Sequence, residues 1–147
     1  MDPLSAFGLA CGIVQIVDFG LEVFSTCRDL AQNASTKKNL DLGYVTSHLA
    51  DLSKDIETAI DAQAQPKTRA DRELRDLACR CKDTSNALQK KLSALNVNPQ
   101  KKGLGKLVEV TRKVAESIWK SSELKELRER LEGYRKMLDT SILTRLR

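Results

Sequence analysis

The sequence predicts an all-α fold, a helical bundle of about five helices with an apolar N-terminal helix. Two observations carry this. Helix breakers are scarce, with seven Gly and three Pro in 147 residues, which favours long helices. Apolar residues also recur every three or four positions in four separate segments, the spacing that paints one stripe on a helix. Aromatic residues are only 4% of the chain, so the expected core is built from Leu, Ile, Val and Ala. One domain spans residues 1–147, a length that supports a real core.

The first element starts at Asp2-Pro3, an N-cap acid followed by a proline at the first helical position. The spacing predicts an apolar helix over about 3–31. Its polar or small residues, including Gly8, Gly12, Gln15, Asp18 and Glu22, follow each other by three or four and form one narrow stripe. Residues 33–39 read as a polar turn. Val45, Leu49, Leu52, Ile56 and Ile60 predict a helix over about 40–62, which Pro66 closes. Leu74, Leu77, Cys81, Leu88, Leu92 and Leu95 predict a third over about 70–95. Asp71→Arg75 and Asp76→Arg80 support its outer face as i,i+4 pairs. A basic loop with Pro99, Gly103 and Gly105 leads to a fourth helix over about 105–119, with Leu107, Thr111, Val114 and Ile118. Ser121-Ser122 starts a fifth over about 122–144, carrying Leu124, Leu127, Leu131, Tyr134, Leu138 and Ile142. Glu126→Arg130 and Glu132→Lys136 support it.

Charge is unevenly spread. The formal net charge is +5, but residues 1–36 hold one base against four acids, and residues 37–147 hold 24 bases against 16 acids. An apolar, mildly acidic segment is therefore joined to a basic body, and such a body attracts anionic partners. No helix-turn-helix, zinc finger or aromatic-interleaved basic patch accompanies the charge, so nucleic acid is not the expected partner. The chain opens Met1-Asp2-Pro3 without a basic stretch before the apolar run, which argues against a secretory signal. Cys11, Cys27, Cys79 and Cys81 lack a disulfide-scaffold spacing and are expected to be reduced thiols in the cytoplasm.

Catalytic apparatus is not expected. His48 is the only histidine and has no partner in the pattern. Cys79 and Cys81 are two apart and point to roughly opposite sides of a helix, so neither a metal site nor a Cys-x-x-Cys motif is present. Lys102-Gly103-Leu104-Gly105-Lys106 has its glycines two apart and lacks the Gly-Lys-Ser/Thr of a phosphate loop. The expectation is no enzyme, no cofactor and no metal.

The first helix is the informative element. Its most apolar stretch runs 14 residues, from Leu4 to Val17, short of the ~20 that a lone spanning helix needs. A helix of ~27 residues nevertheless extends ~40 Å, longer than a hydrocarbon layer of ~30 Å. Two readings follow: a central helix of the bundle, or a helix that leaves the bundle and enters a bilayer as one of several. In the second, Leu4, Phe7, Leu9, Ile13, Val14, Ile16, Val17 and Phe19 would meet lipid. Gln15, Asp18 and Glu22 would face a watery lumen or an oligomer contact. Gly8 and Gly12 have the spacing of a small-xxx-small helix contact.

The N-terminal residues Met1-Asp2-Pro3-Leu4-Ser5-Ala6-Phe7-Gly8-Leu9-Ala10, then Ile13-Val14-Gln15 and Val17-Asp18-Phe19-Gly20, resemble the opening of the HeLo-like N-terminal domains of fungal NOD-like (STAND) receptors. Residues 77–97 resemble the third, cysteine-containing helix of that family. Ile118-Trp119-Lys120, followed by Glu123-Leu124, Glu126-Leu127, Arg130-Leu131, Tyr134-Arg135 and Leu138, resembles its closing Trp-then-helix pattern. The similarity covers nearly the whole chain.

The resemblance implies a membrane-targeting, cell-death-inducing effector of a fungal innate immune or heterokaryon-incompatibility-type receptor. It implies activation by oligomerisation, permeabilisation or pore formation through the first helix, and movement from the cytoplasm to the plasma membrane. The implied partners are further copies of the chain, anionic membrane lipids, and a nucleotide-binding oligomerisation module or amyloid signalling motif in a parent protein or partner. Lys101, Lys102, Lys106, Arg112 and Lys113 are the bases expected to attract lipid headgroups, at ~1 kcal/mol each near a charged surface. The rival expectation is a helical protein–protein interaction module, an adaptor without membrane activity.

Overall fold

A computed structural model describes residues 3–32, 40–62, 68–96 and 112–145. These form five helices: α1 (Pro3–Gln32), α2 (Leu42–Asp61), α3 (Arg69–Asn96), α4 (Arg112–Lys120) and α5 (Ser122–Arg145). No strand occurs among the described residues. Four of the five lie within two residues of their expected bounds at each end. The fourth begins at Arg112, because residues 105–111 of its expected span lie outside the described residues.

The starts are set by capping. Asp41, with extended backbone, accepts from the Tyr44 amide at 3.2 Å and opens α2. Thr68 Oγ1 accepts from the Asp71 amide at 3.0 Å at the head of α3. Ser121 interrupts the helix for one residue, and its hydroxyl accepts from the Leu124 amide at 3.4 Å. Each contact satisfies an amide that the first helical turn leaves unpaired.

α1 packs against all four other helices and forms the axis of the bundle. Cross-contacts fix the directions. Gly12 lies against Ile56 and Phe19 against His48, so α2 runs antiparallel to α1. The Cys81 thiol donates to the Ile13 carbonyl (4.0 Å), and Gly20 sits near Leu88, so α3 runs parallel. Gly20 also meets Leu131, and Asp18 pairs with Arg135, so α5 is antiparallel. α2 packs on α3, and α3 on α5, but α2 and α5 do not pack on each other. One side of α1, marked by the exposed Phe7, Val14, Gln15, Asp18 and Glu22, is left uncovered.

The core joins Leu9, Ile13, Ile16, Val17, Val23 and Phe24 of α1 to Leu49 and Ile56 of α2, Leu74, Leu88 and Leu92 of α3, Ile118 of α4, and Leu131 of α5. Two polar contacts set register inside it. Ser53 donates to Ser85 at 2.8 Å across α2 and α3, and Thr84 and Tyr134 share a 3.0 Å bond across α3 and α5. The expected surface pairs Asp76–Arg80 (3.1 Å) and Glu126–Arg130 (2.6 Å) form, whereas Glu132 and Lys136 do not pair. Arg128 lies 4.2 Å over the Trp119 ring and links α4 to α5.

Candidate functional site

The residues singled out on α1 divide by face. Leu9, Ile13, Ile16 and Val17 are fully buried in the core. Phe7 is 68% exposed and Val14 39% exposed. Phe19 is half-buried, its ring edge-on to His48 at 4.5 Å and to Tyr44 at 6.4 Å. The side chain of Leu4 lies outside the described residues. The helix is thus neither buried all round nor apolar-out. At about 100° per residue, Phe7, Cys11, Val14, Gln15, Asp18 and Glu22 fall on one side, and all but the half-buried Cys11 are exposed.

The expected polar stripe changes company along the helix. Gln15, Asp18 and Glu22 do face water. Gly12 does not: its Cα faces Ile56, whose Cγ1 lies 3.1 Å from where a Cβ would stand, while nothing lies within 4 Å of Gly8 on that test. The two glycines therefore face different surroundings, and only Gly8 is open to an outside helix. The stripe read from spacing of three and four drifts around the cylinder, because steps of four overshoot one turn of 3.6 residues.

Asp18 Oδ1 stands 3.3 Å from Arg135 Nη1, both side chains about half exposed. Solvent screening leaves such a pair below about 1 kcal/mol. It is a contact that no local spacing signals, since 117 positions separate the partners in the chain. The aromatic group of Phe19, Tyr44 and His48 was also illegible across the helices. Its one local sign is the i,i+4 relation of Tyr44 and His48, whose rings stack with centroids 5.6 Å apart. Lys101, Lys102 and Lys106 lie outside the described residues, as do the side chains of Arg112 and Lys113.

Elsewhere, an open groove of about 540 Å³ runs between α3 and α5. Leu77 and Met137 line it together with the charged Glu73, Asp76, Arg80 and Lys136. Asp76 and Arg80 are paired with each other. Among the described residues no three His, Cys, Asp or Glu gather in a way that could hold a metal ion.

The cysteines separate as the helical geometry requires. Cys27 and Cys81 are buried, Cys11 and Cys79 half-buried. Burial disfavours the thiolate and pushes both Cys27 and Cys81 up to about 12 from 9.0. They are inert thiols at neutral pH. Above pH 9 the unfolded chain ionises these groups while the folded chain keeps them neutral. Stability is therefore intact below pH 9 and falls as pH rises toward 12, by up to about 1.4 kcal/mol per pH unit for each thiol. The urea midpoint should hold from pH 7 to 9 and drop above it, and a Cys27→Ala, Cys81→Ala chain should show a shallower drop. An equal drop in that variant would refute the assignment.

No family model, no curated protein and no solved structure matches the chain.

Proposed function

We propose that the chain is a HeLo-like effector domain that inserts α1 into anionic membranes when copies are brought together, as in cell-death signalling by fungal receptors. One observation carries this reading. α1 contains, over Ala6–Gln32, 27 residues long and apolar enough to cross a bilayer, with an 18-residue window of mean hydropathy 1.7 of which 39% is buried. Part of its apolar surface already stands in water, at Phe7 and Val14. Clustering by a nucleotide-binding oligomerisation module or amyloid motif would raise the local concentration of α1. The bases of residues 37–147 would hold the body on anionic headgroups. In a ring of such helices Gln15, Asp18 and Glu22 would face water, the tolerable arrangement for polar groups at membrane depth.

A second reading, a helical interaction module that never meets lipid, is favoured by the position of α1 as the axis on which four helices pack. The core helix of a water-soluble bundle has the same length and hydropathy, so the two readings part on an experiment.

That experiment is dye release from phosphatidylcholine–phosphatidylserine vesicles, comparing the full chain with a Phe7→Ser, Val14→Ser chain whose circular dichroism is unchanged. Exposed substitutions of this kind move stability by only about 0.5 kcal/mol each. The effector reading expects release by the full chain and at least about a tenfold loss in the variant, from lost apolar area at the leading end of α1. Equal release by both refutes the role of this strip. No release at concentrations where the chain oligomerises selects the interaction module.

A further inference from the structure

We propose that the edge where α1 meets α2 is a docking surface for a basic, arginine-bearing helix of a partner protein. Both helices build it. Phe19 of α1 lies edge-on to His48 at 4.5 Å and to Tyr44 at 6.4 Å, and the Tyr44 and His48 rings stack on each other. Tyr44 is nonetheless 59% exposed. On α2, Tyr44, His48, Asp51 and Asp55 follow at steps of four, three and four. At about 100° per residue they fall within one arc of about 60°. On α1, Glu22 is three positions from Phe19, on the same side of the helix. The antiparallel register set by Gly12–Ile56 and Phe19–His48 brings Glu22 level with Tyr44. The rings thus have a carboxylate at one end and two at the other.

Charge selects the occupant. The chain carries +5 overall, but residues 40–62 hold Asp41, Asp51, Asp55, Glu57 and Asp61 against Lys54 alone. Asp41 caps α2. Glu22, Asp51 and Asp55 are exposed, and among the described residues none of the three has an ion-pair partner. An anionic surface, lipid or nucleic acid, meets like charge here. A purely apolar partner would desolvate the carboxylates without a countercharge. A guanidinium satisfies both features, since it pairs with carboxylate and stacks on an aromatic face.

Spacing selects a helix. Tyr44 and Asp51 are seven residues apart, about 10 Å along α2 at 1.5 Å per residue. Two arginines seven positions apart on a partner helix span the same distance. One lies over Tyr44 beside Glu22, and the other reaches Asp51 and Asp55. Because α1 and α2 form the surface together, its occupant binds the packed bundle alone and holds α1 in place. The surface exists whether or not α1 ever enters lipid.

The test uses the full chain in lipid-free buffer of low ionic strength. The probe is a synthetic, dye-labelled helical peptide of about 18 residues, built on Ala, Leu and Gln, with two arginines seven apart on one face. Fluorescence anisotropy should show binding, and the peptide should raise the urea midpoint of the chain. Tyr44→Ala should weaken binding about fivefold, and Asp51→Asn, Asp55→Asn about tenfold, each with unchanged circular dichroism. Glu57→Gln, Asp61→Asn removes the same charge from another side of α2 and should change binding by less than about twofold. Equal losses in the two double variants would report net charge alone and overturn the proposal. So would a peptide that does not bind. Self-association of the chain without peptide, abolished by Asp51→Asn, Asp55→Asn, would give the surface to a second copy and overturn it as well.

Discussion

Ile13→Glu is expected to leave the chain without a cooperative fold at 25 °C. Ile13 is fully buried on the side of α1 that meets α3, where its own carbonyl accepts from the Cys81 thiol. The substitution removes an apolar side chain whose burial is worth about 2–3 kcal/mol. It also places a carboxylate among Leu, Ile and Val side chains without a basic partner, at a further cost of several kcal/mol. A domain of this size has about 5–15 kcal/mol in total. The measurement is urea denaturation followed by circular dichroism at 222 nm. A native-like signal with an unchanged midpoint would contradict the burial of Ile13. Val14→Glu, one residue along and 39% exposed, should cost no more than about 0.5 kcal/mol.

That contrast governs how a membrane role of α1 is tested. Loss of activity in Ile13→Glu, or after deletion of residues 1–20, would report an unfolded bundle. The deletion removes Leu9, Ile13, Ile16 and Val17 from the core together. The same burial bears on mechanism under the proposed reading. A helix leaving the bundle must uncover Leu9, Ile13, Ile16, Val17, Val23 and Phe24, on the order of 10 kcal/mol of apolar contact at about 2 kcal/mol each. Release into water is thus prohibitive. Release is affordable only where lipid or neighbouring helices receive the same surface, which ties membrane entry to clustering at the bilayer.

The helical architecture was legible because local signals agree with it. Leu74, Leu77, Cys81, Leu88 and Leu92 repeat at helical spacing and all five are buried. Ser121 stands where the chain breaks between α4 and α5. α1 was harder to read for a physical reason. Phe7, Val14, Leu9 and Ile13 are equally apolar, so hydropathy alone does not say which of them the neighbours cover. Ile13 and Val14 are adjacent, yet one is in the core and the other in water. The side is decided by where the other four helices lie, and that is set by long-range contacts such as Gly12–Ile56 and Gly20–Leu131. Asp18 stands beside Arg135, a neighbour that its own spacing does not signal. Helical periodicity places a residue on its own cylinder and carries no information on a partner far along the chain.

Gly20 is expected to be the least replaceable glycine of the described helices. A Cβ built there stands 2.5 Å from Leu131 Cδ1 and 3.8 Å from Leu88 Cδ2, at the crossing of α1, α3 and α5. Gly20→Ala gains about 1 kcal/mol of helix propensity but forces the fully buried Leu131 off its rotamer, at about 0.5–1.5 kcal/mol, so the two nearly cancel. Gly20→Leu adds three more carbons to a filled site and should cost about 3 kcal/mol or more. Leu131→Ala alone should cost about 2–5 kcal/mol through the cavity it leaves. The double variant should be more stable than the sum of the two losses by about 1–3 kcal/mol, since the new side chain enters the vacated space. Gly133→Ala on α5, with nothing within 4 Å, should instead stabilise by about 0.5–1 kcal/mol. Urea midpoints of the four chains read the cycle. Additive losses at Gly20 and Leu131 would mean that the two helices do not meet there, and that α5 lies elsewhere on α1.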